Sequence, residues 1–535
     1  MLSFFIYKSN EKIYFNNPFL FFFSTVYSQN QNNAWVFGDS CGIDFTNTQN
    51  PTPIITNMVG RGSCVSICDT NGILMLYAYT VESSGALSTI VRNGLHQKLN
   101  QNNTITGVAW YNELALFPKP GTQQNLYYLF SVGLNGAPNP GLYHTTIDMN
   151  LNNGLGGIVQ QNIQIDNIEY GDCLTCVRHG NGRDWWVMAK INNFPFTFYN
   201  RFRTRLVTAD SIYPAMIQDF NDASDGSFEK ICWHPSYNKF MMIDVRGYMS
   251  EFDFDRCTGI ITQVRTIFAE QLSNFSNLFW EGAYSPNGNV FYVSRTSYGG
   301  NFGDYNYLLQ YDLTAIDIPA SCDTLDSTIY PQADCGAVRL APDGKIYYSQ
   351  AYPWGFPYQD SMHNVVNENL GVVNFPDSVG KACNFLPFSF YLGGKRTYYG
   401  LPNNPDYSLG PLQGSPCDTL QWVGTPETPN LLQGGFRSLR INPNPANNSF
   451  YIKYDIPTNE NLLFVLYDSY GKEVLHKNLY GTFKNLLVHT EQLNNGIYFW
   501  RAVKDYNTKT QRSNGKSPEG DLGVGAQNGK IVILH

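Results

Sequence analysis

The sequence predicts an all-β protein: a β-propeller of six to seven blades, with seven the favoured count, followed by a small immunoglobulin-like β-sandwich. Three observations lead there. Aromatic residues make up 15% of the 535-residue chain, with 36 Tyr and 35 Phe, while charged residues also reach only 15%. That is too little charge and too much aromatic surface for a disordered chain, and it lacks the Ala/Glu/Lys/Leu stretches of helical bundles. A strand–turn–strand unit recurs between residues 60 and 400, and a different set of short strands follows from residue 438. The net charge of −8 comes without any Lys/Arg run, which excludes the clustered positive charge that a nucleic-acid partner requires.

The N-terminus reads as an export signal. Lys8 and Lys12 precede the apolar stretch 18–26, and Ser28 supplies a small residue for cleavage, so residues 1–28 are expected to be removed. A membrane anchor needs about 20 apolar residues, and Asn16 and Asn17 interrupt the run too early. No later segment is long and apolar enough to span a bilayer, so the mature chain is expected to have no transmembrane segment.

The recurring unit, expected to fill residues 33–412, is a hydrophobic strand, a tight turn and an aromatic-rich strand. Its turn anchors fall at Gly72, Gly121, Gly182, Asn238, Gly288 and Gly344, with steps of 49, 61, 56, 50 and 56 residues. A period of that size made of strands is one four-stranded propeller blade per repeat. Pro235, Pro286 and Pro342 preset the first corner of their turns, Asn or Asp tolerates a left-handed conformation, and Gly supplies positive φ without steric cost. The paired aromatics after each turn are expected to pack between blades. A seventh blade is expected from 381–385 and 393–402, closed by the N-terminal strand at 34–45, which covers the edges of an open array.

The Ser-Pro-Asn-Gly and Ala-Pro-Asp-Gly turns at 285–288 and 341–344, each followed by paired aromatics, resemble the WD40-like repeats of exported bacterial propellers. Together with Trp35-Val-Phe-Gly and Tyr399-Gly-Leu-Pro, they make the chain similar to large secreted propellers of the Bacteroidetes.

A Pro/Gly-rich linker is expected at 413–437, and a β-sandwich module at 438–535. The module's pieces resemble, in order and spacing, the C-terminal sorting domain of type IX secretion substrates. They are Asn442, Pro443, Asn444 and Pro445; the hairpin around Gly471; the Gly496 turn with Tyr498; and the ending at Gly529 and Lys530. The resemblance implies that residues 438–535 engage the type IX secretion machinery and deliver the chain to the cell surface or beyond it. The plain alternative is a carbohydrate-binding or immunoglobulin-like accessory domain. An insertion at 504–528 departs from the pattern. The module carries 11 Lys+Arg and 8 Asp+Glu, net +3, which leaves −11 for the rest of the chain. Asp followed by Ser or Thr and an apolar residue, at 210, 323, 360, 377 and 418, is similar to the O-glycosylation sequon of this bacterial group, and is also ordinary turn chemistry.

Eleven cysteines cannot all pair internally. Cys173, Cys176 and His179 have a metal-like spacing, but a strand points the two thiols to opposite faces, and core packing is the expectation. Cys322 with Cys335, and Cys232 with Cys257, are the candidate disulfides. No nucleophile elbow, zinc-protease helix, Walker loop or dinucleotide fingerprint occurs, and His179 and His234 fall in repeat turns. No catalytic residue, cofactor or metal is therefore assigned. Glu113, Glu281 and Asp334 lie near predicted inner strands and are the acids to inspect for glycosidase-like pairing. Aromatic loops at 194–199 and 352–358 could stack sugars or peptides, with inter-blade packing the alternative. The functional expectation is a surface or secreted binding or adhesion scaffold with a glycan or protein ligand at the propeller mouth; the alternative is an extracellular propeller hydrolase or lyase acting on polysaccharide or peptide.

Overall fold

A computed structural model describes residues 30–418 and 438–533, apart from 82–88, 101–103, 108–110, 122–124, 134–138, 192–199, 221–228, 246, 270–276, 298–304, 330–331, 353–358, 360, 443–445, 457–460, 469–471 and 505–526. The expected signal segment with Ser28, most of the linker, Pro443, Asn444, Pro445, Gly471 and nearly all of both aromatic loops lie outside the described residues.

Seven antiparallel sheets follow one another along the chain, here numbered I (34–59), II (64–93), III (114–166), IV (175–220), V (229–269), VI (277–329) and VII (334–391). Sheets III to VII have four strands each, and I and II have three. Within each sheet the strands pair in sequence order, so each is a meander, and the first strands of successive sheets contact one another. Those of II to VII are Cys64–Cys68, Leu114–Pro118, Thr175–Arg178, Glu229–Trp233, Asn277–Tyr284 and Asp334–Leu340. This is a propeller fold: inner strands line a channel, and each runs from a face that bears the longer loops to a face that bears the tight turns.

The turns explain why the strands reverse where they do. The amide N–H groups of Tyr237, Gly288 and Gly344 donate to the carbonyls of His234, Ser285 and Ala341 at 2.8–2.9 Å, with Pro235, Pro286 and Pro342 at the first corner. Gly72, Gly121, Gly182, Gly288 and Gly344 have φ between 70° and 88°, a region costly for other residues. Two details differ from expectation. In the fourth copy the left-handed residue is Tyr237 (φ 54°), one before Asn238. Asn287 and Asp343 do not take the left-handed role; their carboxamide and carboxylate oxygens instead accept from the amides of Asn289 (2.9 Å) and Lys345 (3.1 Å), closing Asx turns.

Between sheets the aromatics interlock. Phe117 of sheet III stacks on Trp185 of IV at 5.1 Å, Trp186 of IV meets Phe254 of V at 6.3 Å, and Trp35 of I meets Tyr347 of VII at 5.9 Å. Such pairs add about 0.5–1.5 kcal/mol each beyond the area they bury.

Sheet I is built differently from the expected seventh blade. Residues 381–383 lie in a 3-10 turn, and Phe385–Tyr391 is the fourth strand of sheet VII, because its apolar residues continue that meander. Sheet I consists of Ala34–Phe37, Asp39–Asp44 and Thr52–Val59, and the first of these runs from the turn face to the loop face, opposite to the other first strands. The vacant inner position is taken by the returning chain at 396–402. Asp39 and Arg396 exchange backbone hydrogen bonds at 2.7 and 3.3 Å, and Ala337 of sheet VII donates to the Tyr399 carbonyl at 2.6 Å. On the other side the Tyr399 amide donates to the Arg61 carbonyl at 3.1 Å, just before sheet II.

The cysteine pairing is also different. Cys257 is bonded to Cys417, 160 residues away in sequence, while Cys232, Cys322 and Cys335 carry free thiols. Cys322 lies in a turn-face connection and Cys335 at the loop-face start of an inner strand. The strand Asp323–Ile329 separates them, about 20 Å at ~3.3 Å per residue. Cys232 faces the core on an inner strand, whereas Cys257 sits at the outer turn of the same sheet. Contacts with the ring therefore continue to Cys417, beyond residue 412.

Residues 438–533 form two sheets. Ser438–Asn442, Ser449–Asp455 and Asn485–His489 make one; Glu473–Tyr480, Asn461–Tyr467, Gly496–Lys504 and Gln527–Ile533 make the other. Phe450 and Ile452 from the first pack with Phe464, Leu466, Trp500 and Ile531 from the second in a single core. Asn442 ends the first strand, Gly496 opens another, and Gly529 and Lys530 pair with Trp500 and Phe499. The Tyr498 hydroxyl donates to the Asn494 carbonyl at 2.9 Å, closing the turn before its strand.

Candidate functional site

The site is the channel, and its occupant is the chain itself. After Pro402 the returning segment leaves the inner-strand position and crosses among the first strands. The Asn403 amide N–H donates to the Cys64 carbonyl at 2.8 Å. Its side-chain nitrogen donates to the Leu114 carbonyl at 3.2 Å and the Leu174 carbonyl at 2.9 Å, and its side-chain oxygen accepts from Lys230 Nζ at 2.9 Å. One side chain thus touches sheets III, IV and V, and its own backbone touches II. Further along, the fully buried Tyr407 donates its hydroxyl to the Leu116 carbonyl at 3.0 Å and sets its ring against Trp185. The Arg178 guanidinium donates to the Tyr407 carbonyl at 3.0 Å.

Around Asn403 lies a buried cluster of charge. Lys230 Nζ is 3.2 Å from Glu281 Oε1 and donates to Asn112 Oδ1, and Arg339 Nη2 lies 3.4 Å from each Glu281 oxygen. The Asp172 carboxylate accepts the amide N–H groups of Tyr111 (3.0 Å) and Asn112 (2.6 Å), tying the approach to sheet IV onto that to sheet III. Lys230, Glu281 and Asp172 are each at most 2% exposed. Burial pushes the Asp172 carboxyl up to about 7, opposed by the two amides and by Lys230. Burial, and then the charge of Arg339, pull the Lys230 ammonium down to about 8, with Glu281 opposing.

Of the three acids chosen from sequence, Glu281 joins this cluster. Glu113, fully buried, accepts the Tyr111 amide at 3.2 Å, and Asp334 accepts the Tyr399 hydroxyl at 3.2 Å. Sequence reasoning missed Lys230, Asp172, Arg339 and Asn403. For Lys230 and Arg339 the available signal was a cation followed or preceded by apolar inner-strand residues, as in Lys230-Ile231-Cys232-Trp233; Asp172 and Asn403, which lie outside the strands, carried no such signal.

Toward the loop face the channel mouth is aromatic. Tyr111 meets Trp280 at 5.6 Å and Tyr399 at 6.0 Å, with the Arg61 guanidinium 5.1 Å from the Tyr399 ring. Trp280 is held by its indole N–H, which donates to Thr296 Oγ1 at 2.8 Å. Elsewhere, a cavity of about 640 Å³ opens between sheets II and III beside Lys98, but the amides of Asn93 and Asn152 there donate to the carbonyls of Leu155 (3.1 Å) and Gly156 (2.9 Å). Cys173 and Cys176 are buried in packing clusters, and His179 contacts the Cys257 carbonyl at 2.9 Å. Among the described residues no group of three or more His, Cys, Asp or Glu is placed to hold a metal, and no helix is long and apolar enough to cross a membrane.

Residues 440–513 match the family described as the secretion system C-terminal sorting domain. The curated proteins give no match. Among solved structures, a putative 6-phosphogluconolactonase from Bacteroides uniformis is 12% identical over 67% of this chain and 97% of its own, with a TM-score of 0.40. Another from Bacteroides fragilis is 11% identical over 69% and 98%, with a TM-score of 0.41. A β-propeller domain from Myceliophteria thermophila is 10% identical over 74% and 94%, with a TM-score of 0.28. No activity transfers from likenesses of this size. The C-terminal module is a type IX sorting domain, and it places the protein at the cell surface or in the medium.

Asp172 gives the cluster a pH signature. Its raised pKa means that it stabilises the fold fully below the ordinary carboxyl value near 4, and that this contribution is lost as pH rises through about 7. Asp172→Asn turns an amide NH₂ toward a backbone N–H and should cost about 1–3 kcal/mol at pH 5. Urea unfolding should show the difference between wild type and variant shrinking from pH 5 to pH 8.

Proposed function

We propose that the protein is a non-catalytic binding or adhesion scaffold, carried out of the cell by its C-terminal sorting domain, with a glycan or protein ligand seated at the loop-face mouth of the channel. One observation carries the reading. The acids nearest the channel are buried and bonded to strand amides, cations or the returning chain, and residues 403–407 fill the space that a substrate would need to reach them. What remains toward the loop face is the partly exposed pair Trp280 and Tyr399, packed on the buried Tyr111, with Arg61 and Asp334, a mixture of flat apolar faces and fixed charges of the kind that binds sugars or peptide side chains.

A specific observation favours a second reading, an extracellular hydrolase or lyase. Asp172 and Lys230 are both shifted toward neutrality, as general acids and bases are. Structural ion-pair networks shift pKa values in the same way, and here the shifts follow from burial.

The full chain screened on glycan and peptide arrays, with a turnover assay on every hit, separates the two. The scaffold reading expects binding without turnover, reduced tenfold or more by Trp280→Ala. Turnover abolished by Lys230→Met would favour the hydrolase and overturn it. Independently, deletion of residues 438–535 should abolish surface delivery in the native host, read by surface labelling of intact cells.

A further inference from the structure

The returning segment ends in a covalent fastening. At the turn face Leu412 donates its amide to the Gly180 carbonyl at 2.8 Å, and Cys417 is bonded to Cys257 in the 255–259 turn of sheet V. Arg256 binds three carbonyls there, those of Arg178 (2.9 Å), His179 (3.4 Å) and Gly410 (2.7 Å). Its own carbonyl accepts the Gly180 amide at 2.9 Å and the Trp186 indole N–H at 2.8 Å. A Cβ at Gly180 would lie 2.4 Å from the Cys417 sulfur and 2.9 Å from that of Cys257, so only glycine admits the bond at this crossing. Sheets IV and V and the exit segment are therefore joined at one point.

Cys417 is the second-to-last described residue before the sorting module, so it stands in the chain between the ring and that module. Residues 403–412 run from the loop face toward the turn face, and tension on the C-terminal side would pass into them if nothing else held the chain there. Without a fastening it would draw Asn403 and Tyr407 out of the channel one hydrogen bond at a time. We propose that the Cys257–Cys417 bond is a load-bearing clasp, which diverts force on the C-terminal side into the sheet V turn and leaves residues 396–416 unloaded. Residues 258–416 lie inside the loop that the bond closes, so the channel segment carries no tension while the bond holds, even after sheet V has opened. This assignment is independent of the ligand at the mouth.

The role differs from plain stabilisation by a closed loop, which any long-range disulfide provides. It concerns the order in which parts yield under directional force. The test is single-molecule stretching of the full chain between its two ends, with and without reductant. In the oxidised chain no release should fall between unfolding of the C-terminal module and opening of the ring. The total extension should be shorter by about 540 Å, the contour of the 160-residue enclosed loop at ~3.4 Å per residue.

In the reduced chain, and in the Cys257→Ser/Cys417→Ser variant, an added low-force step of about 75 Å should precede ring opening, the length of residues 396–417 at ~3.4 Å each. If the reduced chain regains the 540 Å yet shows no early step, the clasp carries no load and the proposal fails. An early step in the oxidised chain would overturn it equally. Reducing the folded wild type covers the case in which the variant does not fold.

Discussion

The backbone hydrogen bonds of residues 396–403 to Asp39, Ala337, Arg61 and Cys64 are the contacts on which the ring depends. A propeller is a row of sheets, each stable against its neighbours, and what turns the row into a ring is whatever joins its ends. Here the chain end supplies the missing inner strand of sheet I at 396–402, then uses Asn403 to satisfy carbonyls of sheets III and IV and the ammonium of Lys230 in sheet V. Each such bond has a modest net value, but losing one strands a buried partner at about 1–3 kcal/mol. The four contacts of Asn403 are consequently coupled: displacing the segment would leave three carbonyls and a cation without the partner that fits between them.

That constraint gives the low charge content a structural meaning. A chain with 15% charged residues places several of them in the channel, where an unpaired charge is costly. Lys230 lies between Glu281, Asn112 and Asn403, and Arg339 faces Glu281 from the next sheet. Buried ion pairs contribute little net stability compared with apolar packing of the same volume. Their effect here is one of position, since the polar groups accept the returning chain in a single alignment. The aromatic contacts between sheets, with Trp185, Tyr347 and Phe117 almost fully buried, supply the cohesion.

Local chemistry made the architecture readable. Gly72, Gly182, Gly288 and Gly344 mark turns because positive φ is a property of the residue itself, and the spacing of those turns gives the sheet repeat. The sorting module was readable for the same reason, through short strands bounded by Gly, Asn and Pro. The closure was half visible: Arg396 to Pro402 and the N-terminal strand do meet, but 381–391 belongs to the preceding sheet. Asn403, Tyr407 and the Cys257–Cys417 bond were not readable. Their segment has no periodicity, and its partners lie 160 to more than 300 residues away in sequence. Glu281 was found because an acid beside an inner strand is conspicuous. Asp172 and Lys230 were not, because their roles depend on which sheets become neighbours.

Amide hydrogen exchange on the intact chain tests the closure most directly. The amides of Thr397, Tyr399 and Asn403 donate to the carbonyls of Asn367, Arg61 and Cys64, which belong to sheet VII, the approach to sheet II and sheet II itself. If the returning segment closes the ring, these amides exchange only when the ring opens, and their protection equals that of the Cys64–Cys68 strand. Exchange at these three positions orders of magnitude faster than in that strand, with the sheets still protected, would show that the segment lies on a ring that is closed without it.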